Sequence, residues 1–449
     1  MRHTNGRLAS WLESSTPAVA GAVSVTAAFS TYFCMYAFRK PFAAASFSGA
    51  SFLGTAVTLK TAYVIGQTVG YALSKFAGIK VCSEATRAAR PWLLIGLVGV
   101  AEVMLLLFAV LPPDARVVAI FLNGLPLGMV WGLVVQYLEG RRNSELLLAG
   151  LSCAFIVASG TVKDVGLYLM SEFGVSEAWM PFTTGLLFFP PLLLSVWVLD
   201  QTPPPTAQDV RERVRRAPMD ASQRRAALAE YAAGLIPLLL AYFFLTAYRD
   251  FRDNFSVEIR DALGYHGQAA TFTRTEFLVA FGVMGALALL NIFRNSRRGL
   301  AATYAAIGSG LALMGGATLL MSAHRISGFW WFTLVGLGSY LAYVPYGSML
   351  FDRLIAAKGV VATSVFLIYV ADATGYMGSV GVQLYKDLFH HGQSHLAFFV
   401  RFTLILSVAG VVLVLLSALS FIRRPVRQQP GRVPSEGATT PALGTEVAN

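Results

Sequence analysis

Apolar positions along this chain neither alternate with a period of two nor form a narrow helical stripe. They fall instead in blocks of roughly 20 residues separated by short polar breaks, and a helix of about that length crosses the ~30 Å hydrocarbon core of a bilayer. Twelve such blocks can be counted. Their centres fall near Ser30, Val69, Glu102, Leu127, Ile156 and Phe188, then near Phe244, Gly282, Leu311, Tyr340, Tyr369 and Val411. The longest polar stretch, about residues 200–225, opens with Pro203-Pro204-Pro205, is rich in arginine, and divides the spans six and six. The pattern predicts an all-α membrane protein with a first bundle over 1–199, a cytoplasmic basic linker over 200–229 and a second bundle over 230–423. A disordered cytoplasmic tail over 424–449, rich in Pro, Gly, Thr and Gln, follows.

Composition narrows the class. Of 449 residues, 55% are hydrophobic and 13% charged, with mean hydropathy +0.60; a soluble domain carries about 25% charged residues, so a water-soluble multidomain enzyme is excluded. The net charge of +11 raises nucleic-acid binding as a reading, but the basic residues follow the span count. With a cytoplasmic N-terminus, Lys80, Arg87, Arg90, Arg141, Arg142, Arg294, Arg297, Arg298, Arg353, Lys358, the linker arginines and the tail all fall inside. Only Arg116, Arg260, Arg325 and Lys386 fall outside. That is a positive-inside distribution, and it predicts a multi-pass plasma (inner) membrane protein with both termini cytoplasmic and no nucleic-acid partner; a monomer is expected. The first apolar run exceeds a signal peptide's core, so it is read as a retained helix. Cys34, Cys82 and Cys153 have no CxxC spacing and read as packing residues. His390, His391 and His395 read as a solvated loop rather than a metal site. No phosphate-binding loop, HExxH or GxSxG sequence occurs, so no enzyme chemistry and no cofactor are expected, and transport would draw on a gradient.

The halves repeat. Phe38-Arg39-Lys40-Pro41-Phe42 matches Phe251-Arg252-Asp253-Asn254-Phe255, Lys60-Thr61 matches Arg274-Thr275, Gly124 matches Gly336 and Arg141 matches Arg353, in one order and at offsets of 212 to 214 residues. Such a series indicates a duplicated six-helix unit. Two six-helix halves joined by a basic loop resemble the major facilitator superfamily. Within it, Tyr36-Ala37-Phe38-Arg39-Lys40-Pro41-Phe42-Ala43 is similar to the YxxRKNFA segment of the organophosphate:phosphate antiporters, and Tyr71-Ala72-Leu73-Ser74-Lys75-Phe76 to their YGFSKF. Gly124 to Gly132 resembles their glycine-rich fourth helix more weakly. Pro41 stands where that family has asparagine, and the acidic residue expected in the loop after the second helix is missing. The resemblance implies alternating access, a small anionic substrate of the organophosphate class, and a substrate-gripping role for Arg39. A carboxylate or sugar-acid proton symporter, or an organophosphate sensor that does not transport, are the rival readings.

Charges inside apolar blocks are the candidate chemistry, because even low estimates put a mid-bilayer charge near +2.5 to +3.5 kcal/mol. Arg39 and its repeat partner Arg252 would offer two guanidinium forks to one phosphate; the rival reading is a pair of snorkelling residues. Arg249 competes with Arg252 from one helical turn away. Lys60, Lys75, Lys163 and Arg274 are further candidate substrate contacts, Lys75 equally an interfacial anchor, and Tyr36 a hydroxyl donor beside Arg39. Lys40 is expected to snorkel, and Asp253 to pair with Arg249 along its own helix. Glu102, Asp164 and Asp372 are candidate proton carriers, or counter-ions for nearby bases.

Overall fold

A computed structural model describes residues 7–138, 144–204, 229–265, 271–293, 295–358, 364–390 and 392–423. Arg141, most of the expected linker (205–228) and the expected tail (424–449) lie outside the described residues. A short amphipathic helix, α1 (Arg7–Ser14), precedes six long helices: α2 (Pro17–Tyr36), α3 (Leu59–Glu84), α4 (Arg90–Val110), α5 (Arg116–Val135), α6 (Ser144–Phe173) and α7 (Met180–Asp200). Six more follow the linker: α8 (Ala232–Asn254), α10 (Thr271–Leu290), α11 (Ser296–Ser322), α12 (Gly328–Pro345), α14 (Ser364–Phe389) and α15 (His395–Arg423), with short α9 (Ser256–Ala262) and α13 (Phe351–Lys358) between them. Ten of the twelve long helices are apolar enough along their length to cross a membrane. The other two, α3 and α14, are 26 residues each and carry more polar side chains.

Each half buries its own apolar core, one running from Ala27 to Leu199 and one from Tyr231 to Phe421. Helix neighbours repeat between the halves: α2 packs on α6 and α7 as α8 packs on α14 and α15, α3 on α5 as α10 on α12, and α4 on α7 as α11 on α15. The halves meet along two seams, α6 with α10 and α3 with α14. Large apolar side chains such as Trp92, Val408 and Phe281 point outward on the spans, the surface a bilayer covers. The chain is a multi-pass membrane protein with the twelve-helix fold expected from its sequence.

Helices α3 and α5 approach at backbone contact. A Cβ on Gly70 would lie 2.1 Å from the Phe121 carbonyl oxygen and one on Gly124 would lie 2.5 Å from that of Gln67, so only glycine fits the crossing. Of the glycines spaced by three in α14, Gly375 and Gly378 press on Thr246 and the Phe243 carbonyl of α8, whereas Gly381 faces open space. Pro345 closes α12 into a wider five-residue turn, Tyr346–Leu350, before α13.

Because successive long helices run in opposite directions, both described chain ends and the ends flanking 205–228 share one face, the linker face. The turns after α2 and α8 lie on the opposite, distal face. There α2 stops at Tyr36, four residues short of the Pro41 ring, which has no N–H to offer the next turn. The carbonyls left open at this buried end are met by side chains: Asn123 donates to the Phe38 oxygen (3.0 Å) and Gln67 to that of Arg39 (2.8 Å), and the two amides bond each other at 2.9 Å. In the second half α8 runs on to Asn254, which stands at the position matching Pro41. The repeated motif thus sits on a broken turn in one half and a continuous helix in the other.

Candidate substrate site between the bundles

Arg39 is buried, and its guanidinium stacks over the Tyr71 ring at 3.8 Å with Tyr36 at 5.7 Å. Among the described residues no carboxylate lies within ion-pair distance of it and its side chain makes no hydrogen bond; its Nε is buried without a partner. The surroundings are aromatic. Tyr32 touches Tyr36 (ring centroids 5.5 Å) and Trp131 (4.8 Å), and its hydroxyl lies 3.5 Å from that of Tyr71. Trp131 leads through Phe155 to Tyr340 of the other half, at 6.2 and 6.0 Å.

Arg252 is placed differently. Its Nη1 pairs with Glu276 of α10 at 2.9 Å, its Nη2 donates to the Phe332 carbonyl at 3.2 Å, and it stacks on that ring at 4.2 Å. It is neutralised inside its own bundle. The position equivalent to Glu276 in the first half is taken by Ala62 or Tyr63, so Arg39 has no such partner. Arg249, three residues earlier on α8 and turned about 60° from Arg252, faces the centre. It stacks on Tyr343 at 4.2 Å and lies near enough to Tyr36 to interact with it. Arg249 also pairs with Asp250 at 2.7 Å, and Asp250 accepts from Ser379 at 2.5 Å. The two guanidiniums sharing the tyrosine-lined centre are therefore Arg39 and Arg249.

Most other candidate charges tie the halves together at the distal end. Asp253 does not pair with Arg249; it bridges Lys40 (2.6 Å) and Lys163 (2.8 Å) of the first half and accepts from Ser159. Lys40 does not snorkel but is buried, with a further bond of 2.8 Å to Asn254, because the broken turn after α2 directs it across the interface. Lys163 also donates to the Asp253 carbonyl and to Ser256 at 2.9 and 3.0 Å. Lys60 pairs with Glu258 and donates to the Ala43 carbonyl at 3.0 Å. Asp164 accepts from the Thr273 amide and hydroxyl at 2.7 and 2.5 Å, and Asp387 accepts from the Thr58 amide and hydroxyl at 3.0 and 3.1 Å. Arg274, matched by repeat to Lys60, is exposed.

On the second seam Lys75 pairs with Asp372, which also accepts from Tyr242 at 2.7 Å. Beside this pair the two helices leave a crevice of about 480 Å³. Glu102 is buried against Gly185 of α7, with neither oxygen hydrogen-bonded, and touches no member of the Arg39 cluster. Tyr71, Gln67, Asn123 and Glu258 are not among the candidates the sequence offers, and Asp253 is there only as a partner for Arg249. Tyr71 opens the motif that contains Lys75, so its signal was present; the two amides carried none beyond being polar in apolar blocks.

Two transporters are among the solved structures similar in fold. The crystal structure of the nucleoside transporter NupG is 14% identical, with 90% of this chain and 99% of that one aligned at a TM-score of 0.55. A bacterial homologue of the human drug peptide transporters PepT1 and PepT2 is 12% identical, with 89% and 98% aligned at a TM-score of 0.59. No match to a curated protein was found. The profile of a family described as "Family of unknown function (DUF5690)" matches residues 41–424, and the chain belongs to that family.

Proposed function

We propose that the protein is a secondary transporter that carries a small organic anion across the plasma (inner) membrane by alternating access, with Arg39 gripping the anionic group. The lone guanidinium of Arg39 carries this reading. A buried charge without a counter-ion costs several kcal/mol, and here the repeat-related arginine has its carboxylate while Arg39 does not. An anionic ligand is the missing partner. Arg249 supplies a second fork from the other half once Asp250 yields to the ligand, and Tyr36, Tyr71 and Tyr343 supply the walls. Phosphate esters and carboxylates both fit a fork; with Arg249 and Lys75 already paired, a singly charged head matches the net charge of the centre best. The transporter fold shared with NupG and the peptide-transporter homologue supports carriage rather than sensing. The basic linker side faces the cytoplasm on the positive-inside argument, which makes the distal face the outer one. An empty Arg39 site is costly to reorient, which favours exchange of one anion for another over proton symport.

The test is a thermal-shift screen of the purified protein with inorganic phosphate, glycerol phosphate, gluconate, benzoate and octanoate. At least one should stabilise the protein. Arg39→Lys should weaken that ligand by about 10- to 100-fold, since hydrogen bonds to charged groups are worth about 1.5–3 kcal/mol and a lysine cannot form the fork. Wild-type affinity in Arg39→Lys for every stabilising anion would refute the assignment.

A further inference from the structure

We propose that the transported anion bears an apolar tail and enters sideways from the bilayer, through the crevice between α3 and α14. This rests on the anion reading above and names its substrate class: a single-chain amphiphile with one negative charge.

The two seams are unlike. Along α6 and α10 the helices touch closely: a Cβ on Gly160 would lie 3.0 Å from the Phe272 backbone, and Asp164 accepts from the Thr273 amide at 2.7 Å toward the distal end. Along α3 and α14 the polar and aromatic contacts include the Lys75–Asp372 pair, Lys75 over the Tyr376 ring at 5.3 Å, the Tyr71–Tyr376 rings at 5.8 Å and the Thr58–Asp387 bonds near the distal end. The crevice of about 480 Å³ opens beside them, within the range of small-molecule pockets, ~300–1,000 Å³. Its mouth is made by Leu73, Phe76 and Met377, which are 50%, 59% and 62% exposed on spans whose outer surface faces lipid. Its floor holds Lys75, Asp372 and Tyr376.

That floor is a polar route inward. The Tyr71 ring carries Lys75 at 5.8 Å and Arg39 at 3.8 Å, so one tyrosine links the cation at the crevice to the unpaired cation at the centre. A water-dissolved solute has no use for such a path. An amphiphile in the leaflet does: its tail moves from lipid to apolar side chains with little change in environment, and only its head must meet charge. The head takes Lys75 from Asp372, which keeps the Tyr242 hydroxyl as donor, and then passes to Arg39. Because Lys75 and Asp372 balance each other, the surplus charge is that of Arg39, which fits a monoanion.

The experiment uses the full chain in proteoliposomes with a diazirine-bearing dodecanoate as probe, irradiated and mapped by mass spectrometry. Adducts should concentrate on Leu73, Phe76, Met377 and Val380 over lipid-facing Val408 and Leu415 of α15 by about tenfold. Octanoate should suppress them and octanol should not. Leu73→Trp, and independently Met377→Trp, should cut the crevice adducts by a similar factor; both residues lie at the exposed mouth, so the fold tolerates at least one of them. Labelling spread evenly over the lipid-facing helices, or equal suppression by octanoate and octanol, overturns lateral entry. If octanoate nevertheless stabilises the protein in an Arg39-dependent way, the anion reading stands and only the route falls. If it does neither, and no other anion stabilises the protein, both fall.

Discussion

Asp253→Asn is the most informative single change. The carboxylate of Asp253, on the last turn of α8, holds two buried lysines of the other bundle, Lys40 at 2.6 Å and Lys163 at 2.8 Å. Asparagine keeps the size and one acceptor but removes the charge, leaving two ammonium groups without a carboxylate. Breaking a buried pair by removing one partner typically costs about 3–5 kcal/mol. Lys40 retains Asn254, and Lys163 retains the 253 carbonyl and Ser256, so the low end, about 3 kcal/mol, applies. All of these bonds cross between the bundles at the distal end, so the cost falls on the distal-closed state alone. At 1.4 kcal/mol per decade, the closed-to-open ratio should fall by roughly 100-fold. Spin labels at Ser48 and Ala262, both exposed on distal segments of opposite halves, would read the change by double electron–electron resonance in a background lacking Cys34, Cys82 and Cys153. The distance distribution should move to longer values in Asp253→Asn. A folded variant with the wild-type distribution would show that this cluster is not what holds the distal end shut.

Gln67→Leu removes the donor to the Arg39 carbonyl and to Asn123; an unsatisfied buried group costs about 1–3 kcal/mol, so the melting temperature should fall and anion affinity with it. Gly70→Ala should destabilise by about 1–3 kcal/mol through backbone overlap with Phe121, whereas Gly96→Ala, with no atom within 4 Å of its added Cβ, should melt like wild type; equal effects would refute the close-crossing argument. Glu102→Gln should leave anion binding and its pH dependence unchanged, because the carboxyl lies against Gly185 outside the Arg39 cluster; a displaced pH profile would return Glu102 to the coupling machinery.

Twelve long helices and the repeat of their packing between the halves were legible in the sequence because each depends on local facts: the length of an apolar run, and a motif recurring at nearly one offset. Arg39 was legible for the same reason, standing in a motif at a helix end. Which cation would be free was not. Arg39 and Arg252 look equivalent along the chain, yet Pro41 breaks the turn after α2 while α8 stays helical, and Glu276 neutralises one arginine while no carboxylate among the described residues pairs with the other. Lys40 reads as a snorkelling lysine and Asp253 as a partner for Arg249, because short-range rules see only neighbours three or four residues away. Their actual partners are remote: Lys40 and Asn254 are 214 residues apart, Lys163 and Asp253 are 90, and Lys75 and Asp372 are 297. A buried charge takes the nearest opposite charge in space, and that choice exists only once two bundles have packed along their seams.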